Sequence, residues 1–174
     1  NIPRPPDEKA AMYINFWYPI CTTAELTASA PVQARVLMLP FVAFRDAGGQ
    51  AHVLSDTCVH RGGALGKGRV VNGRVTCPYH GWQFGGDGRC ALIPSLGPEG
   101  NIPARAKVDS YPVIERYGIV FAFLGDLSET ERPAPPEVRE YEQPGWRAGL
   151  VTFLVAAAVT LMPRSRSRSM ESRT

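Results

Sequence analysis

Histidine is scarce in this sequence, with 3 residues among 174, and cysteine is hardly more frequent, with 4. The sequence also shows no N-terminal apolar run of the signal-peptide type, because residues 1–12 are proline-rich and charged. A disulfide framework like those of small secreted proteins is therefore not expected, and paired cysteines favour a metal site. We expect a cytoplasmic protein.

A strongly charged body is missing as well. The net charge is +3 and the pI about 8.8, but four arginines and one glutamate lie in the last twelve residues. Without that tail, Lys+Arg and Asp+Glu number 15 each. A neutral body argues against a nucleic-acid partner. The apolar run at 148–162 is shorter than the ~20 residues that a membrane-spanning helix needs, so a membrane partner is not expected either.

Two of the three histidines and two of the four cysteines fall in two short motifs. The first motif is Cys58-Val59-His60-Arg61-Gly62-Gly63, and the second is Cys77-Pro78-Tyr79-His80-Gly81-Trp82. The spacing is Cys-x-His, sixteen residues (61–76), then Cys-x-x-His. Two histidines that replace two cysteines on one iron of a [2Fe–2S] cluster are the Rieske arrangement.

This arrangement assigns Cys58 and Cys77 to one iron as thiolates, and His60 and His80 to the other iron as neutral imidazoles. Neutral ligands leave the oxidised cluster less negative than four thiolates would, so it accepts an electron more easily. A Cys₂His₂ zinc site is the alternative from the residues alone. Structural zinc sites, however, usually space cysteines by two to four residues and histidines by three to five, whereas each motif here mixes the two residue types.

The remaining sequence predicts an all-β fold built from short strands and turns. Proline (16) and glycine (17) are frequent, and Asn72-Gly73 between β-branched residues predicts a hairpin over 69–76. Further hairpins are expected over 41–55 and 83–93, and further strands over 36–39, 108–114 and 119–124. Because of Pro112, the strand at 108–114 should be an edge strand. Each metal-binding motif then follows a strand, in a Gly/Pro loop.

At these motifs the sequence resembles a known family. CVHRGGALGKG and CPYHGWQF, with flanks FWYPIC, GDGRCALIP and YPVIERYGIVFAFLGD, resemble the N-terminal Rieske domain of the Rieske-type non-haem iron oxygenases, which include aromatic-ring-hydroxylating enzymes and demethylases. The resemblance implies an antiparallel β sandwich with a cluster-binding subdomain of two loops. Respiratory Rieske proteins carry an additional cysteine in each motif and join the two by a disulfide; Gly63 and Tyr79 stand at those positions here.

The resemblance implies an oxidoreductase component that takes electrons from a reductase or ferredoxin and passes them toward a mononuclear Fe(II), for O₂-dependent hydroxylation or demethylation of an organic, in particular aromatic, substrate. Other oxygenase subunits are further expected partners. The family holds that iron on two histidines and a carboxylate in a second domain, but no histidine follows His80. This chain alone is therefore expected to relay electrons. A stand-alone Rieske ferredoxin is the alternative.

Four segments are expected along the chain: a lead-in (1–12), the Rieske domain (13–127), a proline-rich linker (128–147), and an apolar stretch with an Arg/Ser tail (148–174). The linker and tail should be poorly structured. The last segment resembles no part of the family's second domain, so a truncation or frameshift product is the hypothesis for it. A membrane-associating segment with a basic flank is the competing hypothesis.

Overall fold

The computed structural model describes residues 14–97, 100–141, 143–145, 147 and 149. The described residues up to Val138 form one compact unit, and those from Arg139 onward belong to a second. The lead-in predicted over 1–12 and, apart from Gly149, the segment 148–174 lie outside the described residues. Among the residues that are described, no helix is long and apolar enough to cross a membrane. The predicted segment boundaries remain predictions.

The described residues form antiparallel strands joined by turns and three short 3₁₀ turns, at 65–67, 94–96 and 129–131. The strands are β1 (Phe16–Thr22), β2 (Val32–Val36), β3 (Leu39–Arg45), β4 (Ala51–Ser55), β5 (Arg69–Val71), β6 (Arg74–Thr76), β7 (Gln83–Phe84), β8 (Cys90–Leu92), β9 (Ser110–Tyr111), β10 (Val113–Arg116) and β11 (Ile119–Leu124). They pair in three sheets, with strand orders β1-β11-β10, β2-β3-β4-β9 and β5-β6-β7-β8.

In the β2-β3-β4-β9 sheet, the central strands β3 and β4 are buried on both faces, which explains the unbroken apolar run of β3. Successive side chains of a strand point to opposite faces. Phe41 and Ala43 accordingly pack in one core with residues of β11, while Val42 and Phe44 pack in a second core with residues of β6, β7 and β8. The predicted all-β antiparallel fold is confirmed. The first metal-binding motif lies between β4 and β5, and the second lies between β6 and β7 of the third sheet.

Two strand predictions need correction. The predicted strand over 36–39 is wrong, because Val36 pairs with Leu39 across a two-residue turn. Leu37 and Met38 make that turn with φ of 50° and 66°, the left-handed values that a tight hairpin demands. The strand predicted over 108–114 divides at Pro112: β9 pairs with β4, and β10 pairs with β11. Both parts are edge strands, because proline cannot continue the hydrogen-bond ladder.

Part of the segment predicted as a linker packs against β11. Val120, Ala122 and Leu124 face the core, whereas Phe123 points to the opposite face and is still only 1% exposed. It is covered by the Trp17 ring, at a centroid distance of 5.4 Å, and by the Arg132 guanidinium, 5.3 Å from its ring centre. The Trp17 indole also donates a hydrogen bond of 2.9 Å to the Pro133 carbonyl. These contacts fix the residues directly after β11.

Candidate metal centre

The two metal-binding motifs form loops with the same backbone hydrogen bonds. In the first loop, the Cys58 N–H donates to the Gly63 carbonyl (2.9 Å) and the Gly62 N–H donates to the Cys58 carbonyl (2.8 Å). In the second, the Cys77 N–H donates to the Trp82 carbonyl (2.8 Å) and the Gly81 N–H to the Cys77 carbonyl (3.0 Å).

Glycine stands four residues after each cysteine, with φ of 71° at Gly62 and 73° at Gly81. A residue with a Cβ adopts this left-handed conformation only with strain, so glycine lets each loop close. Both loops therefore use one backbone template, although the histidine is the second residue after the cysteine in one and the third in the other. The sequence signal for this shared template is the equal Cys-to-Gly spacing of the two motifs.

The two thiols lie together in the interior. Cys58 is 2% exposed and Cys77 is 3% exposed, and the neighbouring Cys77 thiol is one of the groups that raise the pKa of Cys58. Burial raises the pKa of the Cys58 thiol to about 11, opposed by the backbone N–H groups of His60 and Arg61, which donate to its sulfur. Those two amides are ready to stabilise a metal-bound thiolate. A cation at the site would lower the thiol pKa, because it favours the charged form.

The two imidazoles lie together at the surface. The ring centroids of His60 and His80 are 4.6 Å apart, and both residues are exposed. Trp82 stacks on His60 at 4.6 Å with an angle of only 4° between the rings, and Tyr79 lies 4.0 Å from the His80 ring. The pKa of His60 is lowered by partial desolvation and by the positive charges of His80 and Arg61. A neutral imidazole is the form that binds a metal.

The four predicted ligands thus form a buried thiol pair and an exposed imidazole pair. No group of three or more His, Cys, Asp or Glu side chains in the described residues converges on a point where a single ion would bind. A pair of thiols and a pair of imidazoles are the two pairs of like ligands that the two irons of a Rieske cluster require. The donor set therefore fits a [2Fe–2S] cluster.

Asp56 is a supporting residue that the sequence analysis missed. It is 4% exposed, directly before the first loop, and its carboxylate accepts hydrogen bonds from the Gln33 side chain (2.6 Å) and the Gly66 N–H (2.5 Å). Its backbone N–H donates to the Pro40 carbonyl (3.1 Å). Asp56 thereby joins the first loop and the following 3₁₀ turn to β2 and β3. An isolated acid two residues before Cys58 was the only sequence signal.

The other histidine and cysteines lie away from the loops, in strands. His52 on β4 contacts Asp46 (2.9 Å) and packs on Phe44. Cys90 is buried on β8 and donates to the Leu92 carbonyl at 3.3 Å. Cys21 is half-buried on β1, and burial raises its pKa to about 11.

Residues 16–112 match the family pattern of the Rieske [2Fe-2S] domain. This chain belongs to that family. Its domain carries a Rieske [2Fe–2S] cluster. The resemblance to the Rieske oxygenases is confirmed, because several of its relatives are such enzymes. Chlorophyllide a oxygenase of Chlamydomonas reinhardtii is 41% identical over 112 residues, which cover 64% of this chain and 17% of that protein. Protein TIC 55 of Pisum sativum is 33% identical over 131 residues, with coverages of 75% and 24%.

Methylxanthine N1-demethylase NdmA of Pseudomonas putida is 37% identical over 115 residues, covering 63% of this chain and 32% of NdmA. The solved structure of an NdmA mutant with theobromine superposes with a TM-score of 0.70 at 32% identity, covering 79% of this chain and 42% of that one. The matched part of the chain thus covers 17% of chlorophyllide a oxygenase, 24% of TIC 55 and less than half of NdmA. Relatives that are oxygenases place it among the oxidoreductases.

Proposed function

We propose that Cys58 and Cys77 hold one iron of the cluster and that His60 and His80 hold the other. The observation that carries this assignment is the sorting of the four side chains, with both thiols buried and both imidazoles exposed and 4.6 Å apart. When bound, the cluster supplies reversible one-electron chemistry. Gly62 and Gly81 close the two loops, and the N–H groups of His60 and Arg61 hydrogen-bond the Cys58 sulfur.

The exposed imidazole edge is the proposed entry point for electrons from a reductase or a ferredoxin. The buried thiols are shielded from water by the core around Leu65 and Val75, whereas both imidazoles are open to a partner. We propose that the domain relays these electrons toward a mononuclear Fe(II) for O₂-dependent hydroxylation or demethylation of an organic, in particular aromatic, substrate. Other oxygenase subunits are further proposed partners.

The chain's own residues support a relay role. A mononuclear iron site of the two-histidine, one-carboxylate type needs two histidines beyond the cluster ligands, and His52 alone remains. His52 is engaged with Asp46 in the β4 region. The iron that activates oxygen would therefore be held by residues outside this chain. The cytoplasmic location stays a prediction, since two of the relatives are named as chloroplastic proteins.

The test is anaerobic purification followed by iron and sulfide analysis and an EPR spectrum of the reduced protein. We expect two irons and two sulfides per chain and a Rieske-type signal. Cys58→Ser and Cys77→Ser should abolish the signal, while the matched controls Cys21→Ser and Cys90→Ser should retain it.

The same comparison applies to the histidines, with His52→Asn as the control for His60→Asn and His80→Asn. A Rieske-type signal that survives loss of any of the four proposed ligands, or disappears with a control, would contradict the assignment. Reduced protein with bound zinc and no such signal would contradict the electron-relay function itself.

A further inference from the structure

The two imidazoles of the candidate metal centre each lie against one aromatic ring, but the two contacts differ in kind. Trp82 stacks on His60 with the ring planes only 4° apart and the centroids 4.6 Å apart. Tyr79 lies 4.0 Å from His80, and its ring plane is tilted by 36°. Parallel rings share more contact area than tilted rings, and that contact is lost when either ring turns out of its plane. His60 is therefore held in its plane more firmly than His80.

Trp82 is itself held by the interior of the domain. Its side chain is half-buried and packs against the core that contains Cys58 and Cys77. Its backbone carbonyl accepts the 2.8 Å hydrogen bond from the Cys77 N–H that closes the second loop. Tyr79, in contrast, is 61% exposed. A half-buried ring on a closed loop is a firm support for its neighbour, whereas a ring that is mostly in solvent is a weak one.

The contact between Trp82 and His60 also connects the two metal-binding loops. His60 belongs to the first loop (58–63), and Trp82 belongs to the second (77–82). Tyr79 and His80 are neighbours in the same loop, so their contact does not fix one loop relative to the other. Only the tryptophan contact places the imidazole of the first loop relative to the second loop, which supplies the other imidazole at 4.6 Å.

We propose that Trp82 is the positioning residue for the His60 ligand, so that the fold orients His60 before it binds, whereas His80 takes its orientation on binding. This inference rests on the proposed ligand assignment and adds an inequality between the two imidazoles. Trp82 acts through His60, because it keeps that ring in place and hinders it from turning away. A restrained ligand rebinds before a competing chelator replaces it, so release of the cluster should begin at His80.

The test compares four variants of the holo-protein under anaerobic conditions. Trp82→Leu keeps an apolar side chain at the site but removes the stacking, and Trp82→Phe keeps a ring that can stack. Tyr79→Leu removes the aromatic ring beside the other imidazole. Trp17→Leu is the matched control for the loss of a tryptophan, because Trp17 contacts Phe123 on β11 rather than a metal-binding loop.

The first measurement is the rate at which the visible absorption of the cluster decays after an iron chelator is added. Trp82→Leu should lose its cluster about three- to tenfold faster than wild type, the range that corresponds to the loss of one aromatic pair. Trp82→Phe, Tyr79→Leu and Trp17→Leu should each stay within about twofold of wild type, since the support of His60 is retained in all three.

The second measurement distinguishes positioning from mere shielding against the chelator. Pulsed EPR of the reduced protein resolves the nitrogen couplings of iron-bound imidazoles, which depend on how each ring is oriented toward the metal. Trp82→Leu should shift the couplings of one imidazole and leave those of the other unchanged, and Trp82→Phe should restore the wild-type couplings. A residue that only kept the chelator out would change neither set.

Trp82→Leu with wild-type couplings, or a cluster that is lost equally fast in Trp82→Leu and Tyr79→Leu, would overturn the positioning proposal and leave the ligand assignment intact. Failure of both Trp82→Leu and Trp82→Phe to yield holo-protein would also overturn it, because a ring that stacks should suffice. Holo-protein from Trp82→Phe but not from Trp82→Leu would support it. A wild-type protein without the Rieske-type signal would instead contradict the proposed function on which the inference rests.

Discussion

A disulfide between positions 63 and 79 should form if both residues are replaced by cysteine. A Cβ added to Gly63 would lie 3.4 Å from the Tyr79 Cβ, close to the Cβ separation of about 3.5–4.5 Å in disulfides. The bridge would close a loop of roughly 17 residues and remove about 3 kcal/mol of loop entropy from the unfolded chain. The added Cβ would also lie 3.1 Å from the Cys77 sulfur, so some of the gain is lost to crowding.

The size of the gain should depend on the cluster. In the apo protein, the oxidised Gly63→Cys/Tyr79→Cys variant should be more stable than its reduced form by up to about 3 kcal/mol. With the cluster bound, the proposed ligands already join the same two loops, so the second cross-link removes little additional entropy and the gain should shrink to about 1 kcal/mol or less.

Urea denaturation of the oxidised and reduced forms measures both gains, and mass spectrometry of peptides verifies that cysteines 63 and 79 are the bridged pair. The single variant Gly63→Ala serves as the control for crowding at the Cys77 sulfur. Free thiols at both positions after oxidation would refute the inferred proximity of the two loops. Equal gains with and without the cluster would show that the cluster does not link them, which contradicts the ligand assignment.

Three other outcomes are expected. Asp56→Ala should cost about 2 kcal/mol by leaving the backbone N–H of Gly66 without its acceptor, and should lower the iron retained after gel filtration, whereas the exposed-site variant Asp87→Ala should lower neither. The Glu115 pKa is lowered from 4.5 by its hydrogen bonds to Arg45, so this pair stabilises the fold above about pH 4.5 and loses its effect as pH falls further. Glu115→Gln should reduce the loss of unfolding free energy at acid pH by less than about 1 kcal/mol. An unchanged dependence of the unfolding free energy on acid pH would count against the pair. Because burial raises the Cys21 pKa from 9.0 to about 11, the stability that its neutral thiol contributes is complete below pH 9 and is lost as pH rises through 11; Cys21→Ala should remove that alkaline loss in denaturation curves at pH 8 and 10.5, and a curve identical to wild type would contradict the burial argument.

The turns and the metal-binding motifs were the parts of the structure that local sequence could predict. Asn72-Gly73 identified the β5–β6 hairpin because its residues adopt left-handed conformations at little cost. Leu37 and Met38 make an equally tight turn without asparagine or glycine. The apolar sequence around them therefore gave no sign of a turn. The sequence could name Cys58, His60, Cys77 and His80 as ligand candidates, because each type has specific metal chemistry.

Local sequence patterns could not predict the long-range contacts. Nothing near Phe16 indicates that its strand pairs with residues 119–124, about a hundred positions later. The division at Pro112 between two sheets likewise depends on which partners β9 and β10 find. The role of Asp56 was invisible for the same reason, since one of its partners, Gln33, belongs to a different part of the sequence. Pairing of this kind is decided by the whole fold, not by propensity.

The pairing of the first strand with the last has a consequence for the order of events during synthesis. β1 has β11 as its only partner among the described strands, so the first strand must wait unpaired until residue 124 has left the ribosome. The two metal-binding loops, at 58–63 and 77–82, are made well before that moment. At 5–20 residues per second, the wait is on the order of ten seconds. Cys58 and Cys77 are therefore synthesised before the β1-β11-β10 sheet can form. We expect their thiols to be open to oxidation or to metal binding during that time.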